Sequence, residues 1–233
     1  KIKDICSEFN IRLFEDSCEA LGSKVSEKKL GSFGLASTFS FYYGHHISTI
    51  EGGMICTSDF EFLQILTSLR SHGWGRDLDK NYSNNLQKKY EINDFRNMYS
   101  FYYPGYNLRS TEINAFLGLK QLELLDDYCK RRSILFNIYK ENLKGFWCQQ
   151  SETDLISSFA YGTLTDNPED VWNYLMGKNI ESRPLICGSM GLQPFWEKYN
   201  KCKSNFKNAN QVHYKGIYLP INADLKEEDI LSV

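Results

Sequence analysis

The chain has 233 residues, of which 42% are hydrophobic and 24% charged, a composition typical of a globular protein that buries its own core. The formal net charge is −2, so no overall positive field is available to attract nucleic acid or an anionic membrane surface. No run of about 18 apolar residues occurs, so the sequence predicts no transmembrane helix.

The cysteines are odd in number and scattered, and no two of them form a CxxC pair. This pattern argues against a disulfide framework and against a zinc ribbon. We therefore expect reduced thiols and a cytoplasmic location. The seven positions are Cys6, Cys18, Cys56, Cys129, Cys148, Cys187 and Cys202.

The first part of the chain predicts strands that alternate with helices. Residues 1–6 already have helical character, and strands are expected at 11–14, 36–41 and 54–57. A helix follows, with its N-cap near Ser58 or Asp59 and its end near Gly73. Its predicted apolar face contains Phe62, Leu63, Leu66 and Leu69.

The middle of the chain predicts a polar surface excursion at 78–99, a turn-rich loop at 103–109 and an interrupted helix from about Thr111 to Leu143. Apolar residues recur along that helix at roughly three- and four-residue steps. They are Ile113, Phe116, Leu117, Leu122 and Leu125.

The last part predicts a smaller unit of strands and helices. A strand is expected at 159–164, and Asn167-Pro168 predicts the start of a helix that ends near Gly177. Asp224 and Glu227 have capping-box spacing, so another helix should begin close to the end. Because both ends look interrupted, we expect the chain to be a fragment.

Three segments carry the candidate chemistry. They are Phe14-Glu-Asp-Ser-Cys-Glu-Ala-Leu-Gly-Ser23, Ser40-Phe-Tyr-Tyr-Gly-His-His-Ile-Ser-Thr-Ile-Glu-Gly-Gly53, and Gly105-Tyr-Asn-Leu-Arg109 followed by Thr111-Glu-Ile-Asn-Ala-Phe-Leu-Gly118. In this order they resemble the DegT/DnrJ/EryC1/StrS family of sugar aminotransferases. The likeness extends to Glu181-Ser-Arg-Pro184 and to Leu219-Pro220.

The resemblance implies the α/β fold of aspartate aminotransferase, known as fold type I. Residues 1–110 would be the C-terminal portion of a three-layer α/β/α large domain that binds pyridoxal phosphate (PLP). Residues 111–145 would form a connecting helix, and residues 146–233 a small α/β domain. It also implies a homodimer with shared active sites.

The resemblance assigns cofactor-binding roles to four residues. Asp16 would pair with the pyridine nitrogen and keep it protonated, so that the ring can accept electrons. Ser40 would donate to the cofactor phosphate, Asn107 would reach the phosphate of the partner subunit, and Glu19 would lie beside the cofactor. A helix cap for Asp16 and a simple turn at Asn107 are the plainer interpretations.

The second segment departs from the family at one decisive position, where His45 stands in place of the lysine that binds the cofactor covalently. An imidazole cannot replace that covalent bond, so PLP or its aminated form, pyridoxamine phosphate (PMP), would be held non-covalently. With an ordinary pKa near 6.5, a histidine still suits proton transfer at the cofactor C4′ carbon.

This departure resembles the nucleotide-sugar 3-dehydratase branch, which makes 3,6-dideoxy sugars for surface polysaccharides. The implied substrates are a nucleotide-linked 4-keto-6-deoxy sugar and glutamate, which would regenerate the aminated cofactor. Loss of the C3 hydroxyl and hydrolysis would give a ketone and ammonia. Since Ser71-His-Gly-Trp-Gly-Arg-Asp77 is followed by no cysteine before Cys129, no iron–sulfur cluster is expected.

Several alternatives stay open. The chain could be a sugar aminotransferase, or a non-catalytic or regulatory member in which His45 is structural. Adjacent histidines on a strand point to opposite faces, so only one of His45 and His46 should face the cofactor. His46 is then a candidate substrate contact, as is Arg183. We expect no metal site, because no acidic residue lies at a recognised metal spacing from the histidines.

Overall fold

The computed structural model describes residues 1–151, 153–200 and 205–233, so Cys202 lies outside the described residues. The described strands are β1 (Phe14–Asp16), β2 (Lys24–Val25), β3 (Lys28–Lys29), β4 (Ala36–Ser40), β5 (Gly53–Thr57), β6 (Ala160–Leu164), β7 (Arg183–Pro184) and β8 (Gly216–Pro220). The described helices are α1 (Ile2–Glu8), α2 (Phe60–Arg70), α3 (Lys80–Lys89), α4 (Asp94–Asn97), α5 (Glu112–Leu122), α6 (Leu125–Asn142), α7 (Pro168–Gly177), α8 (Pro194–Asn200), α9 (Lys207–Lys215) and α10 (Glu227–Leu231).

The chain divides into two compact units. The first contains residues 1–18 and 31–123, and the second contains residues 19–30 and 124–233. The boundary falls inside the predicted connecting segment 111–145, between α5 and α6. Residues 19–30 join the second unit, although the prediction grouped them with 1–110.

The first unit is built on a three-stranded mixed sheet in the order β1-β4-β5. β1 runs parallel to β4 with Asp16 opposite Thr38, and β4 runs antiparallel to β5 with Ser40 opposite Gly53. The carboxyl ends of β1 and β4 therefore share one edge, where Asp16 and Ser40 lie. The strand predicted at 11–14 was misplaced, because the ladder starts only where Phe14 meets Ala36.

The helix predicted after β5 is present, but part of its predicted apolar face is wrong. Asp59 is the N-cap and accepts from the Phe62 N–H. Leu63 is exposed, whereas Gln64 and Ser68 are buried. These two polar side chains bind loop backbone, since Gln64 accepts from the Asp79 N–H at 2.7 Å and Ser68 donates to the Trp74 carbonyl at 2.9 Å.

The predicted interruption of the 111–143 helix is confirmed, because α5 ends at Leu122 and α6 begins at Leu125. The apolar stripe of α5 does not form a core within this part of the chain. Ile113, Phe116 and Leu122 are each more than half exposed. The face of α5 that makes contacts is the polar one described below.

The second unit contains the apolar core. Its antiparallel sheet has the order β6-β8-β7. The buried core residues are Leu135, Phe136, Tyr139, Cys148, Tyr161, Leu175, Leu219, Ile221 and Ile230. The predicted helix start at Asn167-Pro168 is confirmed by α7.

The capping box predicted for Asp224 and Glu227 is wrong. α10 begins two residues later than that spacing requires, with Lys226 at the N-cap. The Asp229 carboxylate, and not Glu227, accepts from the Lys226 N–H at 2.7 Å. Among the residues that the structure describes, no helix has the length and apolarity needed to cross a membrane.

Candidate active site

The Asp16 carboxylate lies at the carboxyl end of β1 and is anchored by its neighbours. Its Oδ1 atom accepts from the Cys18 N–H at 3.2 Å and from the Thr38 hydroxyl at 3.1 Å. The residue is nevertheless exposed. A carboxylate that is anchored and exposed in this way suits a cationic N–H donor such as a pyridinium.

The hydrogen bonds of Asp16 also keep it charged. Hydrogen bonding from the Cys18 side chain and then from the Cys18 backbone lowers the pKa of the Asp16 carboxyl. Burial opposes this lowering, and the Thr38 hydroxyl makes the smallest contribution to it. The group is therefore an anion across the neutral range. This charge fits the role of pairing with a protonated ring nitrogen.

Ser40 ends β4 on the same edge of the sheet. Its Oγ accepts from the Tyr42 N–H at 3.3 Å, and the residue is half-buried. The Ser40 hydroxyl donates to no acceptor among the described residues, so it can donate to an anionic oxygen. Asp16 thus supplies an anion suited to the ring nitrogen of the implied cofactor, and Ser40 supplies a hydroxyl donor suited to its phosphate.

His45 and His46 lie in a turn after β4 and not on a strand. β4 ends at Ser40, and the His45 N–H donates to the Tyr42 carbonyl at 3.0 Å. The strand alternation that predicted opposite faces for the two histidines therefore does not apply. Both Nδ1 atoms are buried, and His46 as a whole is only 4% exposed.

The turn that contains the histidines is closed at its base and braced from α5. The Thr49 N–H donates to the Phe41 carbonyl at 2.8 Å, and the Phe41 N–H donates to the Gly52 carbonyl at 2.9 Å. From α5, the side chains of Asn114 and Gln121 bond to backbone groups of residues 48–51.

Asn107 is placed by a close crossing of two loops. The His72 N–H donates to the Tyr106 carbonyl at 2.6 Å, and Ser71 forms an isolated antiparallel bridge with Asn107. Gly73 and Gly105 meet at the crossing with no room for a Cβ atom on either. Asn107 itself is exposed, a position open to a contact from outside this unit.

Glu19 and Arg183 belong to the second unit. The Arg183 guanidinium lies 5.0 Å from the Phe159 ring centroid and 5.8 Å from that of Tyr218. Burial raises the pKa of Tyr218, and the negative charge of Glu19 raises it further. Arg183 therefore packs against two aromatic rings of the second unit, and its role as a substrate contact stays a prediction.

Sequence reasoning missed four residues that shape the site in the first unit. Thr38 and Cys18 hold Asp16, and Asn114 and Gln121 brace the histidine turn. Asn114 lies inside the third motif, but its spacing gave no sign of its partner. Thr38 lies two residues before Ser40 on β4, so the two side chains are on the same face of the strand. That alternation is the one sequence signal that could have identified Thr38.

Comparison with known proteins gives a consistent result along the whole chain. The model of the DegT/DnrJ/EryC1/StrS aminotransferase family matches residues 1–233. The GDP-4-keto-6-deoxy-D-mannose 3-dehydratase of Escherichia coli O55:H7 is 31% identical over 228 residues, which cover 94% of this chain and 58% of that protein. The GDP-perosamine synthase of Escherichia coli O157:H7 is 29% identical over 238 residues, which cover 100% of this chain and 59% of that protein.

A solved structure of GDP-4-keto-6-deoxymannose-3-dehydratase with a trapped PLP-glutamate geminal diamine superposes with a TM-score of 0.80 at 28% identity. The match covers 98% of this chain and 61% of that one. The predicted aminotransferase-like α/β fold is thereby confirmed. The chain spans between 47% and 61% of the length of the first curated relatives that it matches.

Proposed function

Because the chain belongs to the DegT/DnrJ/EryC1/StrS aminotransferase family, we propose that its protein is a PLP- and PMP-dependent enzyme that removes the C3 hydroxyl of a nucleotide-linked 4-keto-6-deoxy sugar. One observation carries the proposal: His45 stands at the position of the cofactor-binding lysine, while the groups expected at both ends of the cofactor, Asp16 and Ser40, are retained.

When bound, the aminated cofactor supplies the amino group that reacts with the C4 ketone and a ring that accepts electrons. Asp16 would hold the proton on the ring nitrogen, and Ser40 would donate to the phosphate. His45 moves the proton at C4′, the step that releases the C3 hydroxyl. An imidazole forms no covalent link to the cofactor, so position 45 has no lysine amine that could displace the product. The released product would then hydrolyse to a ketone and ammonia.

Glutamate is the proposed donor that returns the cofactor to its aminated form. A related dehydratase has been solved with a PLP-glutamate adduct, which supports this choice. The proposed assembly is a cytoplasmic homodimer in which Asn107 reaches the cofactor phosphate of the partner subunit. Its exposed position at the rigid loop crossing is compatible with that role.

The relationship to a GDP-perosamine synthase favours amino transfer as the second candidate. The two reactions differ in the fate of nitrogen, because dehydration releases ammonia and amino transfer leaves a stable amino sugar. Incubation with a nucleotide-linked 4-keto-6-deoxy sugar and glutamate, followed by ammonia and product analysis, separates them. A stable amino sugar without ammonia would refute the dehydratase proposal.

The first test of the proposal is the absorbance of the purified protein with PLP, before and after glutamate. We expect a band near roughly 390 nm that shifts toward about 330 nm as the aminated form appears. His45→Asn should retain PLP but lose the shift, because the proton at C4′ then has no base. Failure of the parent protein to retain PLP would refute the proposed function and leave a non-catalytic member of the family.

A further inference from the structure

Three residues at helical spacing on α5 face the loop that contains the histidines. Asn114, Gly118 and Gln121 lie four and three positions apart, which places them on one side of the helix. Their side of α5 meets residues 48–51 of the loop. The exposed apolar stripe of the same helix contributes nothing to this contact.

Gln121 makes both hydrogen bonds that a neighbouring strand would make to Ser48. Its Oε1 accepts from the Ser48 N–H at 2.9 Å, and its Nε2 donates to the Ser48 carbonyl at 2.5 Å. A side-chain amide has one acceptor and two donor hydrogens, so it can satisfy a backbone N–H and a backbone C=O together. These two hydrogen bonds fix the position and the orientation of the Ser48 backbone relative to α5.

Asn114 holds two further carbonyls of the loop. Its Nδ2 donates to the Thr49 carbonyl at 2.5 Å and to the Glu51 carbonyl at 3.3 Å. Between the two amides, Gly118 leaves room for Thr49, since a Cβ atom on Gly118 would lie 2.9 Å from Thr49 Cγ2. A larger residue there would push the loop away from α5.

His45 lies only three residues before the contact of Ser48 with Gln121. On its other side, its own N–H is bonded to Tyr42, and the loop closes through Thr49 and Phe41. His46 and Ile47, which separate it from Ser48, are each only 4% exposed. A loop this short, fixed at both ends and packed between them, leaves little freedom at His45.

We propose that Asn114, Gly118 and Gln121 are positioning residues that hold the imidazole of His45 in place through the 48–51 backbone. The consequence for proton transfer rests on the proposed function, whereas the positioning itself does not. Misplacement of a reacting group by about 1 Å can cost on the order of a hundredfold in rate, so loss of one of the two amides should slow the glutamate half-reaction by about tenfold.

The direct test observes the imidazoles without any cofactor. The chain has four histidines, so long-range ¹H–¹⁵N spectra contain four sets of ring signals, which His→Asn variants assign. In Gln121→Ala, the signals of His45 and His46 should shift or broaden while those of His72 and His213 stay unchanged. Lys120→Ala, an exposed neighbour on the same helix, is the matched control and should leave all four signals unchanged.

Gln121→Glu keeps the size of the side chain and the acceptor for the Ser48 N–H but places a carboxylate oxygen against the Ser48 carbonyl. Because the two oxygens repel, the His45 and His46 signals should shift here as well, in a variant that leaves no cavity and so guards against poor folding of Gln121→Ala. Unchanged His45 and His46 signals in both variants would overturn the proposal. So would shifts of equal size in all four histidines, because they would indicate a global and not a local change.

The second readout is the rate at which glutamate converts bound PLP, measured beside the PLP dissociation constant. We expect the rate to fall in both Gln121→Ala and Gln121→Glu, while PLP affinity changes by less than about twofold, because the hydrogen bonds of Asp16 and Ser40 do not involve Asn114, Gly118 or Gln121. An equal loss of affinity and rate would contradict positioning. If the parent retains no PLP, the proposed function fails while the histidine spectra still decide this inference.

Discussion

Thr38→Val tests the arrangement of Asp16, the proposed cofactor ligand. The substitution removes one hydroxyl from β4 and keeps the shape of the side chain. Asp16 Oδ1 then loses its 3.1 Å bond from Thr38 and keeps the donors of Cys18. The carboxylate should therefore rotate more freely and meet the pyridinium of a bound cofactor less often.

The expected size of the effect follows from the exposure of Asp16. A buried hydrogen bond to a charged group contributes about 1.5–3 kcal/mol, but Asp16 and Thr38 are both exposed, so solvent screening reduces this to about 0.5–1 kcal/mol. At about 1.4 kcal/mol per factor of ten, PLP should bind roughly two- to fivefold more weakly.

The pH dependence distinguishes orientation from charge. Hydrogen bonds lower the pKa of Asp16 below its ordinary 3.8, so their stabilisation of the anion is fully present above that value and is lost only as the pH falls through the lowered pKa. Even without Thr38, the group remains ionised at neutral pH. The affinity ratio between Thr38→Val and the parent should therefore be constant from about pH 6 to pH 8.

The assay is a PLP titration followed by absorbance or by quenching of protein fluorescence. Thr38→Ser should bind like the parent, because it retains the hydroxyl. Thr67→Val is the matched control, since it removes the same group from α2, where the hydroxyl bonds only to the Leu63 carbonyl. Parent-like binding by Thr38→Val, or weakening by Thr38→Ser to the same degree, would refute the reasoning.

Two further predictions concern the second unit and the thiols. Leu135→Ala should lower the free energy of unfolding by about 2–5 kcal/mol, because Leu135 is fully buried in the core. Ile134→Ala, half-exposed beside it, should cost less than about 1 kcal/mol in the same urea titration, and equal costs would contradict the core assignment. Burial raises the pKa of the Cys129 thiol, so less thiolate forms at a given pH, and a thiol reagent at pH 8 should modify exposed Cys56 well before it. Peptide mapping after timed labelling measures the order, and prior reaction of Cys129 would show that the second unit opens easily.

Local signals predicted the elements whose ends are set by nearby residues. Asn167-Pro168 marked the start of α7, and the apolar pattern from 111 to 143 predicted helix there, although it did not place the interruption between α5 and α6. The signals failed where the partner lies far along the chain. The start of β1 is set by its pairing with Ala36, and Leu63 is exposed because Gln64 and Ser68 bind the following loop instead.

The same division applies to the candidate site. Motif order predicted Asp16, Ser40 and His45, and the structure places all three in one unit. The residues that hold them, Thr38 and Gln121, were missed because each acts through a contact that depends on strand register or on how α5 is placed. A glutamine on a helix carries no signal in the sequence that distinguishes a backbone contact from a solvent contact.

The proposed exchange of the cofactor-binding lysine for His45 would give these supporting residues a larger role. A lysine bonded to the cofactor is held at the reacting carbon by the covalent bond itself, whatever the freedom of its loop. Histidine has no such bond, so its distance and angle to C4′ depend only on how firmly the chain holds it. The closed base at Phe41 and Thr49 and the two amides of α5 supply that restraint. A lysine at position 45 should therefore tolerate loss of the Gln121 amide better than histidine does, and the double variant compared with each single variant would measure the difference.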